Sequence, residues 1–469
     1  MTASCRGGKI FRRSAIREGI MGAGNKNITS LRPDFVWGVS TSAFQVEGAT
    51  KEDGRGLSIW DTRCRLQGGV WTGANADVAC DHYHRWPEDV GLIKDLGVDA
   101  YRFSIAWPRL LPKGKGPVNQ KGLDFYDRLI DGVLEAGITP WVCLYHWDLP
   151  QALDDLGGWT NRDCAGWFAD YAVLAAKRYG DRVKHFATFN EFSVFTMFGY
   201  AIDWAAPGVT DRAAHMKAIH HVNLAHGMGV DVLRDHVKDV SIGAIHNRQI
   251  VRPEGGLAEN QAAADLLDAH WNGVFCDPQH LGHYPEIMAR DVEPYVQAGD
   301  LARICRPTDW MGLNHYGPIY AKADPATTWG YGWGAPPESA NHPEVGWPIF
   351  PEVFKDELLT LTRRYGLPVY VTENGCGGGA GSDTPDENGV VDDTHRLAYF
   401  REYQQAMLDA VAEGADVRGY FVWALLDNFE WGSGYGPRFG LYHVDFDSQK
   451  RTLKNSGKWY RDMIKGQRK

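Results

Sequence analysis

Two glutamates stand at the ends of apolar runs. Glu191 closes Phe-Ala-Thr-Phe-Asn-Glu (186–191), and Glu373 lies in Val-Tyr-Val-Thr-Glu-Asn-Gly (369–375). A carboxylate carried into apolar surroundings is costly unless it is paired or does chemical work. One such residue alone reads as a structural ion pair. Two of them facing each other across the same open end read as a matched set. Cleavage of a glycosidic bond needs such a set, one carboxyl as acid and one as nucleophile or base. Metal binding also uses paired carboxylates, but no His-x-His or His-Glu-x-x-His accompanies these.

Other apolar runs end in polar residues too: Gln45 and Glu47, His146, Asn190, Asn314-His315-Tyr316, and Asp427, Asn428 and Glu430. Trp147, Trp347, Trp423, Trp431 and Phe439 fall at or just past such ends. Flat apolar rings beside dense hydrogen-bonding groups suit a sugar, whose C–H faces stack while its hydroxyls need partners. For most of the 18 Trp, core packing is the expected role. His82 and His84, and the adjacent His220 and His221, could in principle ligate a metal, but their placement on or beside helices speaks against a shared ion, and no metal is expected. The Gly-rich stretch Gly375–Gly381 lacks the Lys-Ser/Thr ending of a phosphate loop and reads as a mobile loop.

Positioning these residues requires a repeating frame. Apolar, β-branched runs recur at Phe35–Thr41, Ala100–Trp107, Ile138–His146, His185–Glu191, Val240–Asn247, Asp309–Tyr316, Pro368–Asn374 and Val417–Asp427. Amphipathic stretches lie between them: Asn119–Gly137, Asn161–Gly180, Ala213–His236, Ala258–Phe275, Glu352–Tyr365 and Thr394–Gly414. Asn119 and Asn161 read as N-caps, and Gly137 and Gly180 as helix stops. Eight strand–helix units with continuously apolar strands predict an α/β chain folded as a (β/α)8 TIM barrel, one domain over 31–469 with extended βα loops. A Rossmann-type sheet would need a Gly-x-Gly-x-x-Gly turn after its first strand, which is absent. In a barrel the chemistry belongs at the C-terminal strand ends, where both glutamates lie.

Composition limits the partners. Across 469 residues, 49 Lys and Arg stand against 59 Asp and Glu, a net charge of −10, which disfavours nucleic acid and anionic lipid surfaces. No apolar run is long enough to span a bilayer. The eight cysteines form no Cys-x-x-Cys pair and read as mostly buried thiols in a reducing compartment, hence a cytoplasmic protein. Residues 1–30 carry Arg6, Lys9, Arg12, Arg13, Arg17 and Lys26 against Glu18 alone. Without an apolar core they do not read as a secretory signal. They are expected to be a disordered basic extension, with an organelle-targeting segment as the alternative and Met21 as another possible start.

Seven blocks carry a resemblance. They are Phe-Val-Trp-Gly-Val-Ser-Thr-Ser-Ala-Phe-Gln-Val-Glu-Gly (35–48), Tyr-Arg-Phe-Ser-Ile-Ala-Trp (101–107), Tyr-His-Trp-Asp-Leu-Pro-Gln (145–151), Thr-Phe-Asn-Glu (188–191), Gly-Leu-Asn-His-Tyr (312–316), Val-Thr-Glu-Asn-Gly (371–375) and Leu-Leu-Asp-Asn-Phe-Glu-Trp (425–431). In this order, over Phe35 to Ile464, the chain resembles glycoside hydrolase family 1, the β-glucosidases.

The resemblance implies a retaining β-glycosidase acting on terminal non-reducing β-D-glucosyl residues, with β-galactosides or β-fucosides also accepted, and without a cofactor. It implies Glu373 as nucleophile and Glu191 as acid/base, with Arg102 and Tyr316 holding Glu373 ionised and oriented. Asn190 matches the contact to the sugar 2-hydroxyl. Gln45, His146, Trp423 and Glu430 would bind the other hydroxyls, with Asn314 and Tyr316 in the same set. Trp431 and Phe439 would wall the pocket, and Trp347 would line the leaving-group side. Glu rather than Gln at 191 sets the thioglucosidases aside, and a carboxylate at 430 would repel the phosphate of a phospho-glycoside. His315, Ala424 and Cys376 depart from the common pattern without replacing a catalytic group. The partner is thus a small β-glycoside or oligosaccharide. A transglycosylating enzyme and a non-catalytic sugar-binding protein are the alternatives.

Overall fold

Short apolar runs buried on both faces pair side by side and in parallel in the computed structural model, which describes residues 31–338, 349–378 and 383–468. They are β1 (Val36–Ser40), β2 (Ala100–Ser104), β3 (Thr139–Tyr145), β4 (His185–Asn190), β5 (Ser241–Asn247), β6 (Trp310–Asn314), β7 (Val369–Asn374) and β8 (Val417–Trp423). Each pairs with its neighbour in sequence, and β8 returns to β1 with Val36 opposite Gly419, closing the barrel. The eight predicted runs are these eight strands. The extension over 1–30 lies outside the described residues.

The outer layer follows from helical periodicity. The first four helices are α1 (His82–Leu96), α2 (Gln120–Glu135), α3 (Asp163–Tyr179) and α4 (Arg212–His236). In α2, Leu123, Tyr126, Ile130 and Val133 recur every three or four residues and are buried, so one stripe faces the barrel. The fifth unit is not one regular helix: α5 (Gln261–Asp268) passes through a π turn at Ala269–Gly273 into Val274–His280. Then come α6 (Pro351–Tyr365), α7 (Thr394–Ala412) and α8 (Asn455–Gln467).

Two end signals act differently from expectation. Asn119 precedes α2, but its amide donates to the carbonyls of Asp53 and Arg109 and ties two loops together. Gly180 follows α3 with φ −69°, so no left-handed turn is needed; a Cβ there would lie 2.4 Å from Ala176 O and 2.5 Å from Val237 Cγ2. Crowding, not conformation, asks for glycine.

The barrel interior is filled from below by Trp141, Trp310 and Phe421. Gly38 and Gly243 make room for them: a Cβ would meet Phe421 at 2.2 Å and Trp310 at 2.3 Å. With the lower barrel plugged, only its C-terminal end is left open to solvent.

Candidate active site

The open end holds a cavity of about 530 Å³ whose wall includes Glu191, Glu373, Tyr316, Trp423, Glu430 and Phe439. That volume is within the usual range for a small-molecule site. Strand direction explains the convergence: β4, β6, β7 and β8 all end here, so residues at or just past their last positions point into one mouth.

Glu373 lies near the end of β7, fully enclosed. Arg102 Nη1, from β2, donates to its Oε1 at 2.7 Å, and Tyr316 donates its hydroxyl to Oε2 at 2.8 Å. Burial pushes the Glu373 carboxyl above its ordinary value, and the Arg102 charge with hydrogen bonds from Arg102, Tyr316 and Asn314 offsets only part of that rise. The Tyr316 phenol is held well above its usual range by burial and by Glu373, so it remains a donor.

Glu191 follows β4 with φ +55° and ψ +66°, a conformation rare outside glycine. Its backbone amide still bonds Ile245 O at 2.9 Å, so the chain turns sharply into the helix Phe192–Tyr200. Such strain persists only where the surroundings impose it, and it clusters at working sites. Two neutral amides donate to Glu191 Oε1: Asn314 Nδ2 at 2.8 Å and Asn247 Nδ2 at 2.9 Å. Burial, then the nearby Glu373 charge, push Glu191 up to about 8. At neutral pH it therefore holds a proton.

A polar network joins the two carboxylates. Arg102 Nη2 donates to Asn190 Oδ1 at 2.5 Å, and Asn314 Nδ2 donates to the same oxygen at 2.9 Å. Asn190 Nδ2 pairs with His146 Nε2 at 3.0 Å, and Thr372 donates to Asn314 Oδ1 at 2.7 Å. Burial and the Arg102 charge keep His146 well below its ordinary value, hence neutral.

Around this centre stand the predicted aromatics. Trp431 (φ +49°) stacks on Phe44 at 5.8 Å with 5° between planes and packs against Trp60 and Trp147. Trp423 lies over His146 at 5.9 Å, and Tyr316 meets Phe439 edge-on at 6.2 Å. Glu430 is pushed up to about 8 by burial and by Glu373 and Glu191.

Some expected contacts differ. Gln45 is fully buried and not on the cavity wall. Its Nε2 donates to Glu430 Oε2 at 2.8 Å and to Asn428 and the Phe429 carbonyl, so here it orients Glu430. Asn190 and Asn314 are likewise covered and act on the carboxylates from behind the wall. Glu47 turns away to pair with Arg109 at 2.8 Å. His82 pairs with Asp89, His220 with Asp300 and Tyr284, and His221 with the Trp159 carbonyl. Cys80, Cys143, Cys164, Cys276 and Cys376 are buried and unpaired. Trp347, and residues 379–381 at the end of the Gly-rich stretch, lie outside the described residues.

Sequence reasoning missed Asn247 and Gln249, although Asn247 ends a predicted strand as Glu191 does; Gln249 donates to Asn247 Oδ1 at 2.7 Å. It also missed Trp204, Trp271 and Trp333 with Phe198, which cluster on the outer wall. Among the described residues, eight Trp line the cavity. Phe198 and Trp271 are carried on helical segments and Trp333 on a short strand outside the barrel. What brings them together with Trp204 is the folding of separate excursions over one another, which no local periodicity records.

The sequence profile described as "Glycosyl hydrolase family 1" matches residues 28–469. The chain is 45% identical to a "Beta-glucosidase" of Agrobacterium sp. over 92% of its length and 95% of that protein's. It is 42% identical to a "1,4-beta-D-glucan glucohydrolase" of Thermotoga neapolitana over 92% and 97%. Its fold superposes with TM-score 0.88, at 42% identity, on "Beta-glucosidase from Thermotoga maritima in complex with glucoimidazole", covering 93% of this chain and 98% of that one.

Proposed function

The chain belongs to glycosyl hydrolase family 1 and is a retaining β-glucosidase, and from that premise we propose which side chain performs each step. Glu373 attacks the anomeric carbon of the terminal glucosyl residue. The bond to the leaving oxygen breaks, and that oxygen takes the proton of Glu191. The product of this half is a glucosyl ester on Glu373. Esterification removes the Glu373 charge that helped hold the Glu191 proton, so Glu191 is left as a base. It then takes a proton from water as the water oxygen attacks the same carbon and the ester bond breaks, which restores both carboxyls with net retention.

The observation that carries this assignment is the unequal support of the two carboxyls. Glu373 is held by a guanidinium and a phenol, which favour its anion. Glu191 has only neutral amide donors and is pushed to about 8. Glu430, oriented by Gln45, together with His146 and Trp423, takes the sugar hydroxyls. Trp431 and Phe439 wall the ring, and Asn190, covered behind the wall, orients His146 and Arg102 rather than meeting the 2-hydroxyl directly. Trp347 remains assigned to the leaving-group side.

The substrates are β-glucosides and short β-linked glucans. The relative named a 1,4-beta-D-glucan glucohydrolase and a cavity large enough for more than one ring support this. The buried, unpaired thiols support a cytoplasmic setting. Azide rescue tests the roles. Glu373→Ala should be inactive and, with azide, yield the α-glucosyl azide; Glu191→Ala should retain activity on good leaving groups and yield the β-azide. The opposite stereochemistry would reverse the assignment. The same wild-type series on β-galactosides and β-fucosides measures how strictly glucose is selected.

A further inference from the structure

Tryptophan is an expensive residue to leave in water, and two stand exposed at the rim of the cavity. Trp71, in the loop between β1 and α1, is 76% exposed; Trp204, beyond the helix Phe192–Tyr200, is 54% exposed. Both line the mouth. Among the described residues Trp71 makes no ring contact, so its indole faces are open, and core packing does not account for it. Trp204 has two ring neighbours, Phe198 tilted at 5.4 Å and Trp333 near-parallel at 6.2 Å, and still leaves more than half of its surface in water.

Neither ring is on a loose loop. The Trp71 amide donates to Gly432 O at 2.8 Å, and the Tyr435 hydroxyl donates to Asn75 O at 2.8 Å. Gly434 (φ +63°) lies so close to Thr72 that a Cβ would meet its hydroxyl at 2.3 Å. The segment carrying Trp71 is therefore clamped onto the loop that follows Trp431. A Cβ on Gly432 would lie 3.8 Å from Trp204 O and 3.9 Å from Trp71 Cε2, so the two tryptophans flank that glycine. Trp431, on the inner wall, is the adjacent residue. One aromatic wall thus continues from the sugar pocket to the outside.

We propose that Trp71 and Trp204 form an outer stacking platform for the distal sugar rings of an oligosaccharide leaving group. The proposal rests on the β-glucosidase reading and extends it to chain length. A pyranose offers a C–H face to an indole while its hydroxyls stay in water, which suits a ring that is fixed and half exposed. An apolar aglycone gains most where it is enclosed, and Trp71 encloses nothing. Pre-fixed rings also spare the ordering cost that a mobile loop would pay on binding.

The test is kcat/KM for cellobiose and cellotetraose with wild type, Trp71→Ala and Trp71→Phe. Wild type should prefer cellotetraose. Trp71→Ala should lower the cellotetraose-to-cellobiose ratio by roughly 2- to 10-fold, the scale of one aromatic stacking contact, and Trp71→Phe should restore most of it. An unchanged ratio in Trp71→Ala, or a wild type with no preference for the longer chain, would overturn the platform while leaving the β-glucosidase reading intact. No hydrolysis of either sugar, or of an aryl β-glucoside, by wild type would instead overturn that reading.

Discussion

The side-chain amide of Asn247 donates to Oε1 of Glu191 at 2.9 Å, from the end of a strand adjacent to the one that carries the acid. This bond favours the anion, so it moderates the rise that burial and Glu373 impose. Asn247→Ala should therefore raise Glu191 further above about 8 and move the alkaline limb of the pH profile of kcat/KM upward. The loss of one hydrogen bond corresponds to roughly 0.4–1 pH unit. Asn247→Asp, which adds a negative charge beside Glu191, should move it further the same way. A limb that stays in place or moves down would show that Asn247 does not act on the acid.

Arg102 governs the other limb. It is the cation that pairs with Glu373, and it is itself 2% exposed. Arg102→Met removes the charge that opposes burial, so Glu373 should hold its proton to higher pH and the acid limb of kcat/KM should shift upward. Breaking a buried pair destabilises the fold by about 3–5 kcal/mol, so the melting temperature should drop, and kcat/KM at neutral pH should fall as well because less of Glu373 is ionised. Arg102→Lys, which retains a charge but not the two-pronged reach to Glu373 and Asn190, should fall between.

Much of this frame was legible because parallel strands covered on both faces must be apolar throughout. A polar residue ending such a run is conspicuous, which is how Glu191, Glu373 and Asn314 stood out. The same rule misplaced the end of the last strand, predicted to reach Asp427 but ending at Trp423. Leu425 and Leu426 are fully buried, but while Leu425 N still bonds Ser40 O at the end of β1, Leu426 pairs with Tyr442 outside the barrel, and burial alone cannot distinguish those destinations. Trp204 and Trp333 were illegible for a different reason. Their positions depend on how separate loops fold over one another, which no local pattern records.

Asp148 follows Trp147 on the inner wall and is 1% exposed, and among the described residues neither carboxyl oxygen accepts a well-formed hydrogen bond. Burial pushes it up to about 7; Arg55 opposes this, and Glu47 and Asp61 add to it. The fold thus binds this proton more tightly than the unfolded chain does. The stability it provides is whole below about pH 4 and is lost as pH rises through about 7. Asp148→Asn keeps the neutral shape, so thermal melts should match wild type at about pH 3.5, begin to exceed it by about pH 5 and exceed it at pH 9 by about 4 kcal/mol. A variant less stable than wild type at pH 9 would mean that the carboxylate finds a partner when it ionises.

Lys454 ties the loops after β7 and β8 to the start of α8. Its Nζ donates to Asp383 Oδ2 at 2.6 Å and to Asp427 Oδ1 at 2.7 Å, with all three side chains sealed from water. Burial alone would raise Asp383, but Arg396 and Lys454 outweigh it and hold the carboxyl at about 2. Asp427 passes the restraint on, since its Oδ1 also accepts from Gly440 N at 2.9 Å, beside Phe439 on the pocket wall. Lys454→Met fills the same space without the charge and leaves two buried carboxylates short of a cation. Stability should fall by about 3–5 kcal/mol at neutral pH. Asp383 should also titrate higher. Its stabilisation, now present above about pH 4 and lost as pH falls towards 2, should fade earlier, so acid unfolding should begin at a higher pH than in wild type. KM for short glucosides should rise with the loosened Phe439–Gly440 segment, while the exposed Lys450→Met leaves melting and acid unfolding at wild-type values. Equal melting of the Lys454→Met and Lys450→Met variants would mean that this buried cation is not what holds the loops.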